Sequence, residues 1–316
     1  MDTFPMSTVL IIIAKMLFVP MVSPLCIGVI RKIKARMQNR RGASIVQPYF
    51  DLWKLFHKDE VVPHDASWIF KIAPYVLFGV GLLLPLAVPL LSTVETVRLF
   101  GDFLVVVYLL ALTAFVLALA GIDAGSAFGG FGSSREMTIS ALTEGTMVFS
   151  FLPALLLVHT TNLGVLAGAV AQMHFSGYFP IAIAAFGFGI ALLAETARMP
   201  FDNPATHLEL TMIHEAMVLE YSGKRLALIE WASANKLLFF IVLGANVFLP
   251  WGLAHGAITM TALLIALGAI VCKVLIALGA IAFIESRIAK LRYFRLPDLL
   301  LTSFILCVVA LITVGI

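Results

Sequence analysis

Residues 103–121, FLVVVYLLALTAFVLALAG, decide the fold. The run contains no charged side chain. A helix needs about 20 consecutive apolar residues to cross the hydrocarbon core of a bilayer. The run is continuously apolar and lacks the residue-by-residue alternation that is typical of a strand in a membrane barrel. It therefore predicts a membrane-spanning α-helix.

Seven further apolar runs extend this prediction to the whole chain. Of the 316 residues, 61% are hydrophobic and only 12% are charged, and the mean hydropathy is +1.04. A soluble domain has about 25% charged residues. We predict an all-α integral membrane protein with about eight transmembrane helices and long cytoplasmic loops, forming a single membrane domain over residues 1–316. The expected spans are 7–30, 69–92, 103–121, 138–159, 179–196, 233–253, 257–284 and 297–316.

Positive charge is distributed unevenly between the two faces of this predicted bundle. All 21 Lys and Arg residues except Lys15, Arg98 and Lys273 lie in one set of loops or directly beside it. By the positive-inside rule, this face is cytoplasmic, so both termini are expected on the non-cytoplasmic side of the cell inner membrane. The loops on the charged face are 31–68, 122–137, 197–232 and 285–296. We expect the longest two, about 31–68 and 197–232, to dock a partner.

The chain offers few ligands for a cofactor. Cys26, Cys272 and Cys307 all lie in predicted spans and form no CxxC pair, so we expect no iron–sulfur cluster or zinc site on this chain. The sequence has no GxGxxG turn and no P-loop. His207 and His214 are seven residues apart, without the HExxH spacing, which makes a metal site there a weak alternative. The one-sided positive charge accounts for the basic pI, and we expect no nucleic-acid partner.

Glu144, Lys273 and Lys15 lie well inside the predicted spans. An ionised side chain at the bilayer centre costs a few kcal/mol or more, so Glu144 must be neutral, paired or hydrated. A structural hydrogen bond to a neighbouring helix and a proton-relay role are both open. Lys273 lies mid-span and is expected to take part in transport or to pair with a carboxylate of another helix or of a neighbouring subunit. Lys15 can reach the interface by snorkelling if its span starts later.

The segment 194–232, AETARMPFDNPATHLELTMIHEAMVLEYSGKRLALIEWA, gathers nine acidic or basic side chains and two histidines. Residues 205–222 lack interior Gly and Pro, which predicts a helix. Its acids, Glu209, Glu215 and Glu220, lie among apolar residues. Burial raises a carboxylate pKa by up to about 3–5 units, so we predict that these acids relay protons or contact a partner.

The same segment begins with a predicted local ion pair. Glu195 and Arg198 are three residues apart, within one helical turn, and Pro200 then breaks the helix. An interfacial helix end without further function is the alternative interpretation.

Loop 31–68 contains an amphipathic stretch, PYFDLWKLFHKDEVVP, at residues 48–63. Phe50 and Trp53 alternate there with Asp51 and Lys54. This pattern predicts a short helix lying in the membrane interface, which either adheres to anionic lipid or docks a peripheral subunit.

Three stretches resemble the family of the H-type membrane subunit of complex I. AETARMPFD…LEL…EYSG…ALIEWA is similar to that family's AETNRxPFD…EL…EYSG pattern. QNRRG…QPYFDLWKLFHKDEVVP resembles its first cytoplasmic loop, and SRIAKLRYFRLPDLL resembles its last. The stretches occur in the family's order over nearly the whole chain, and the eight-span layout agrees.

Two departures separate this chain from the complex I branch. It lacks the GPNRVGP run before Gln47-Pro48, and only Glu209 remains of the ExExEL run. GGFGSSREMTISALTEG and THLELTMIHEAMVLEYSG instead resemble the membrane-anchor subunit of energy-converting group 4 [NiFe] hydrogenases, of the formate hydrogenlyase and hydrogenase-4 type.

The resemblance implies a non-catalytic subunit that anchors a peripheral redox arm and couples electron transfer to proton or Na⁺ translocation. The implied partners are hydrogenase-type large and small (Fe–S) subunits, which carry the Fe–S clusters and the NiFe centre, together with antiporter-like membrane subunits and lipid. The alternatives are a quinone-site subunit of a complex I-type NADH:quinone oxidoreductase and a stand-alone transporter. No internal repeat supports a transporter.

By this resemblance and the charge pattern, two sets of site residues are predicted. The ion path comprises Glu144, Glu195, Glu209, Glu215, Glu220 and Lys273. The arm-docking surface comprises Arg36, Arg40, Arg41, Gln47, Asp51, Lys54, Arg198 and Asp202.

Overall fold

Helices dominate the computed structural model, which describes residues 6–93, 101–202, 212–254 and 259–315, with backbone alone for 6–11 and 175–176. The helices are α1 (Met6–Met37), α2 (Gln47–Phe56), α3 (Trp68–Ala87), α4 (Phe103–Asp123), α5 (Ala127–Val158), α6 (Leu163–Val170), α7 (Phe175–Glu195), α8 (His214–Val218), α9 (Gly223–Val247), α10 (Met260–Arg287) and α11 (Leu296–Val314). In these ranges, eight helices are long and apolar enough to cross a membrane. The predicted all-α membrane fold is confirmed.

Three helices extend beyond the predicted spans on the charged face. α1 continues to Met37 instead of ending at 30, whereas α5 begins at Ala127 and α9 at Gly223, before the predicted starts at 138 and 233. Hydropathy marks where a helix leaves lipid, but α1 and α9 continue past that point through Lys, Arg and Glu, which are good helix formers. Much of the predicted loop 122–137 is therefore helical.

The predicted helix over 205–222 is wrong for most of its described part. Residues 203–211 lie outside the described ranges, and beyond them only His214–Val218 forms an α-helix, α8. The chain then turns through Gly223, whose φ is +55°. A Cβ at Gly223 would lie 2.9 Å from the carbonyl oxygen of Asp59. This close approach and the positive φ, which glycine tolerates best, shape the turn that leads into α9.

The long helices pack around α5 and α9. α5 contacts α4, α7 and α11, while α9 contacts α1, α2 and α3. Phe151, Phe188 and Phe248 form an aromatic cluster in the core, with ring centroids 5.1–5.5 Å apart. Burial differs strongly between helices: 67% of the α9 span is buried within the chain, against 22% for α10 and for α11.

Small residues bring α4, α5 and α8 close together at the charged face. A Cβ at Gly121 of α4 would lie 2.5 Å from the Ser133 hydroxyl of α5 and 3.1 Å from Met217 of α8. Ser133 donates a hydrogen bond to the carbonyl oxygen of Ala118 at 2.8 Å. This contact fixes the first turns of α5, and with them the position of Glu136.

Candidate functional site

A cavity of about 50 Å³ lies among α3, α4, α5, α7, α8 and α9. One wall is apolar and includes Leu77 and Leu110. The other wall carries ionisable side chains. Those side chains are Glu136, Glu195, His214 and Lys236. A water molecule needs about 10–15 Å³ of such space and two to four polar partners, so the cavity has room for about three or four waters.

Glu195 and Lys236 form an ion pair across this cavity. The Glu195 Oε1 atom lies 2.8 Å from Lys236 Nζ, and their side chains are only 6% and 20% exposed. The predicted pair between Glu195 and Arg198 is therefore wrong. α7 ends at Glu195, and the chain reverses through Ala197 at φ +49°, which carries Arg198 to a different carboxylate.

Glu136 is the main acid that the sequence prediction missed. It lines the cavity and lies within electrostatic range of Lys236, Glu195 and Asp202. It was overlooked because it follows Arg135 in a segment predicted to be a loop. The overlooked indication was the spacing to Glu144, eight residues or about two helical turns further on.

Glu144 lies deeper along α5, about 12 Å from Glu136 at 1.5 Å per residue. Its Oε1 accepts a hydrogen bond from the Ser140 hydroxyl at 3.2 Å. Glu144 is also within electrostatic range of Glu195 and Lys236. Three carboxylates and one ammonium group therefore form one interacting set.

A larger cleft of about 520 Å³ opens beside this cavity, among α1, α2, α8, α9 and α10. His214, Ile229 and Ser233 line both spaces, so they form a shared wall. The cleft is strongly charged. Its ionisable lining also includes Arg31, Lys34, Asp51, Arg198, Glu215, Glu230 and Glu285.

His214 is held in this shared wall by its backbone. Its N–H donates to Asp202 Oδ2 at 3.0 Å, and the N–H of Ile213 donates to the same oxygen at 3.2 Å. Burial lowers the pKa of His214 below its ordinary value; the Glu215 carboxylate opposes this shift and Lys236 adds to it. A neutral imidazole can accept a proton at one nitrogen and donate one at the other.

Asp202 acts here as a positioning residue. Besides the two backbone groups, it accepts a hydrogen bond from Lys290 Nζ at 2.6 Å, and its side chain is buried. A carboxylate that satisfies free N–H groups at a helix start takes the place of a capping residue.

Glu285 organises the cleft from the side of α10. Its carboxylate is only 3% exposed and binds Lys34 at 3.1 Å and Arg198 at 3.2 Å. It thereby joins α1, α10 and the segment after α7. The sequence placed Glu285 at a loop boundary and gave no indication of this role.

The remaining predicted ion-path residues are dispersed. Glu209 lies outside the described residues, as does His207. Glu215 lines the cleft, whereas Glu220 is exposed in the turn before α9. Lys273 is half-buried on α10 and forms no ion pair with a described residue.

The predicted docking residues outside the cleft lie mostly at the surface. Arg36, Arg40, Arg41 and Lys54 are exposed. Gln47 donates to Asp51 at 2.9 Å, and Asp51 lies 3.5 Å from Arg31. Arg198 and Asp202, in contrast, are largely buried in the described part of the chain. The helix predicted around residue 50 is confirmed as α2.

Metal ligands are not clustered in the described residues, where no group of three or more His, Cys, Asp or Glu side chains could hold a metal ion. The ionisable groups instead bring acids, one histidine and one lysine together at a hydratable cavity, an arrangement that can bind and pass protons or hold a small cation.

Comparison with known proteins decides the family. The model of the NADH dehydrogenase family matches residues 8–316. The chain belongs to this family, which includes the H-type membrane subunit of complex I. It is thus a membrane subunit of an energy-converting complex, as the resemblance implied.

Relatives of this family member come from two kinds of complex. Hydrogenase-4 component C of Escherichia coli (strain K12) is 33% identical over 302 residues, covering 96% of this chain and 94% of that protein. Formate hydrogenlyase subunit 4 of the same organism is 31% identical over 283 residues, 90% of this chain and 91% of that protein. NADH-quinone oxidoreductase subunit 8 of Rhodothermus marinus is 28% identical over 212 residues, 62% and 59% of the two chains.

A solved structure shows the same fold. A chain of the membrane-bound sulfane sulfur reductase, an archaeal respiratory membrane complex, superposes with a TM-score of 0.82 at 21% identity. The match covers 98% of this chain and 100% of that one.

Proposed function

We propose that this family member is the membrane-anchor and ion-path subunit of an energy-converting [NiFe] hydrogenase complex of the formate hydrogenlyase type. It docks the peripheral redox arm and couples electron transfer to translocation of protons or Na⁺. The similarity to hydrogenase-4 component C and formate hydrogenlyase subunit 4, over at least 90% of the chain, supports this assignment.

The observation that carries the ion-path role is the shared wall between cleft and cavity. A charge that changes in the cleft acts on His214, and His214 adjoins the cavity that contains Glu136 and the Glu195–Lys236 pair. Electrostatic energies rise as the local dielectric constant falls, so these groups are more sensitive to such a change than groups in water.

The proposed path runs from the cleft through His214 to the cavity acids, and then along α5 to Glu144. Glu215 stands at the cleft end of this path. Water in the cavity bridges the groups that lie beyond direct hydrogen-bond distance. We keep Glu209 and Glu220 as proposed contributors on the charged face, between this chain and the arm.

The proposed docking surface surrounds the cleft on the cytoplasmic face, with both termini on the opposite side of the inner membrane. Arg36, Arg40, Arg41 and Lys54 supply exposed positive charge there. The arm consists of the large and small (Fe–S) hydrogenase subunits, which carry the NiFe centre and the clusters. Antiporter-like membrane subunits adjoin the bundle laterally, within the lipid.

Purification of the native complex through a tag on this chain tests the assignment. We expect the co-purified proteins to include a nickel-containing large subunit, Fe–S subunits and antiporter-like subunits, and the preparation to evolve hydrogen. Recovery of a flavin-containing NADH module, or of this chain alone, would contradict the proposal.

A quinone-site subunit is the second candidate, and the cleft itself favours it. Its volume of about 520 Å³ lies within the range of about 300–1,000 Å³ for small-molecule sites. Such sites are mostly apolar, however, whereas this lining carries charged groups from several helices. Reduction of a short-chain quinone by the purified complex with NADH as donor would support this alternative.

A further inference from the structure

Lys273 lies at the middle of its transmembrane helix. α10 has 28 residues, Met260–Arg287, and Lys273 is about 20 Å from each end at 1.5 Å per residue. A lysine side chain spans only about 6 Å, so snorkelling from this depth does not bring the ammonium group to the interface. A charged side chain at the bilayer centre is costly unless it is paired or hydrated.

This chain supplies no carboxylate for Lys273 within its described residues. The ion pairs there involve Lys34, Lys236 and Lys290, but not Lys273. Only 22% of the α10 span is buried, and Ile276, one turn from Lys273, is 67% exposed. The described part of the chain therefore leaves Lys273 without a counter-charge on a largely exposed helix.

The outer surface of α10 permits close approach of another helix. Cys272 and Ile276, beside Lys273 on α10, are exposed, so no described part of the chain covers this side of the helix. Helices associate within a membrane through packing and polar contacts on such uncovered sides.

We propose that α10 docks a transmembrane helix of a neighbouring membrane subunit, and that an Asp or Glu near the midpoint of that helix pairs with Lys273. Charge complementarity at mid-bilayer depth selects this occupant, because lipid tails offer no anion and lipid phosphates lie at the interface. The inference rests on the proposed function, because it requires neighbouring membrane subunits. It adds which helix contacts them, α10, and which groups pair, a carboxylate and the Lys273 ammonium group.

The native complex carrying Lys273→Met tests the pairing. Methionine is more favourable than lysine at the centre of a span, so the variant chain inserts and any loss of a subunit reports the contact. We expect about fivefold less of one membrane subunit per chain, as for loss of one interhelical polar contact, with the peripheral arm retained.

Lys15→Met is the matched control. Lys15 lies nine residues after Met6, the first residue of α1, so it is nearer to the end of its helix than Lys273 is, and its side chain can snorkel. We expect this variant to retain every subunit. Full retention of all subunits by Lys273→Met, or equal losses in both variants, would overturn the proposal.

A photoreactive amino acid at Ile276 identifies the occupant directly. We expect a covalent adduct with a membrane subunit, at a peptide next to an intramembrane Asp or Glu. Adducts with lipid alone, or with a second copy of this chain, would refute the inference. The arm composition of the same preparation tests the proposed function separately.

Discussion

Lys236 of α9 and Lys273 of α10 both lie inside membrane-spanning helices, but their surroundings are opposite. Lys236 of α9 binds Glu195 at 2.8 Å in a helix whose span is 67% buried. Lys273 of α10 has no ion pair in the described part of the chain, and its span is 22% buried. One charge is neutralised inside the subunit, and the other lies half-buried without a counter-charge among the described residues.

This difference indicates two roles for a charged side chain in the membrane, one within the subunit and one between subunits. An ion pair inside the bundle stays intact when the subunit is isolated, and it can exchange protons with cavity water and neighbouring acids. A lysine on an outward helix is stabilised only when the complex assembles. We infer that Lys236 belongs to the ion path and Lys273 to the assembly.

Breaking the ion pair between Glu195 and Lys236 should have the largest effect on ion translocation. Lys236→Met leaves the buried Glu195 carboxylate without its counter-charge. We expect ion translocation in proteoliposomes to fall about 100-fold, a loss typical of removing a proton-transfer group.

The double variant Lys236→Met with Glu195→Gln sharpens this test. Because the two groups act as one pair, the double variant should be no worse than either single variant. Asp65→Asn, at a side chain that is 90% exposed, is the control and should translocate at the wild-type rate. Additive losses in the double variant would contradict an obligatory pair.

A stability test targets the second internal ion cluster. Glu285→Gln leaves Lys34 and Arg198 facing each other without their shared carboxylate. We expect a loss of about 3 kcal/mol, as for removing one partner of a buried ion pair. Thermal unfolding of the detergent-solubilised complex measures it, and an unchanged unfolding temperature would show that the cluster contributes no net stability.

The role of His214 can be tested through pH. Because burial lowers the pKa of His214, its imidazole stays neutral at pH 7 and becomes charged only at a pH below its ordinary value of about 6.5. Wild-type coupling should therefore be constant above neutrality and decline as the pH falls through the lowered pKa.

His214→Gln should remove that acid limb of the profile and lower coupling about tenfold at neutral pH, since cavity water replaces the relay in part. The ratio of ions translocated to electrons transferred, measured from pH 5 to 8, checks both effects. If the decline in coupling at low pH persisted unchanged in the variant, a group other than His214 would cause it.

The smallest expected effect is at the docking surface. Exposed charges mainly accelerate association, so Arg40→Ala with Arg41→Ala should reduce arm retention only about two- to threefold, and more strongly at low salt. Arg98→Ala, predicted on the opposite face, should have no effect. If both variants retained the peripheral arm equally at low salt, Arg40 and Arg41 would not belong to the docking surface.

The number of spans and the family pattern follow from local sequence. Continuous apolar runs such as 103–121 give a strong compositional indication of a helix, because in lipid the segment must satisfy its own backbone hydrogen bonds. The ends of α5 and α9 could not be predicted in the same way, because helix formation continues into water.

The partners of the charged residues were beyond the sequence prediction. Arg198 is near Glu195 in sequence but binds Glu285, 87 positions away, and Glu195 binds Lys236. Such pairs depend on how helices pack, which spacing along one helix does not reveal. The same limit explains why Glu136 was missed while Glu144, embedded in an apolar run, was found.

Glu144→Gln in the purified complex tests the central claim most directly, because Glu144 is the deepest acid of the proposed path. Glutamine keeps the size and hydrogen-bonding capacity of the side chain but cannot ionise. With hydrogen evolution and ion uptake measured on the same proteoliposomes, we predict an intact complex in which ion uptake per hydrogen formed falls about tenfold or turnover slows, as for a lost proton-transfer group. Wild-type turnover together with wild-type ion uptake would contradict the account.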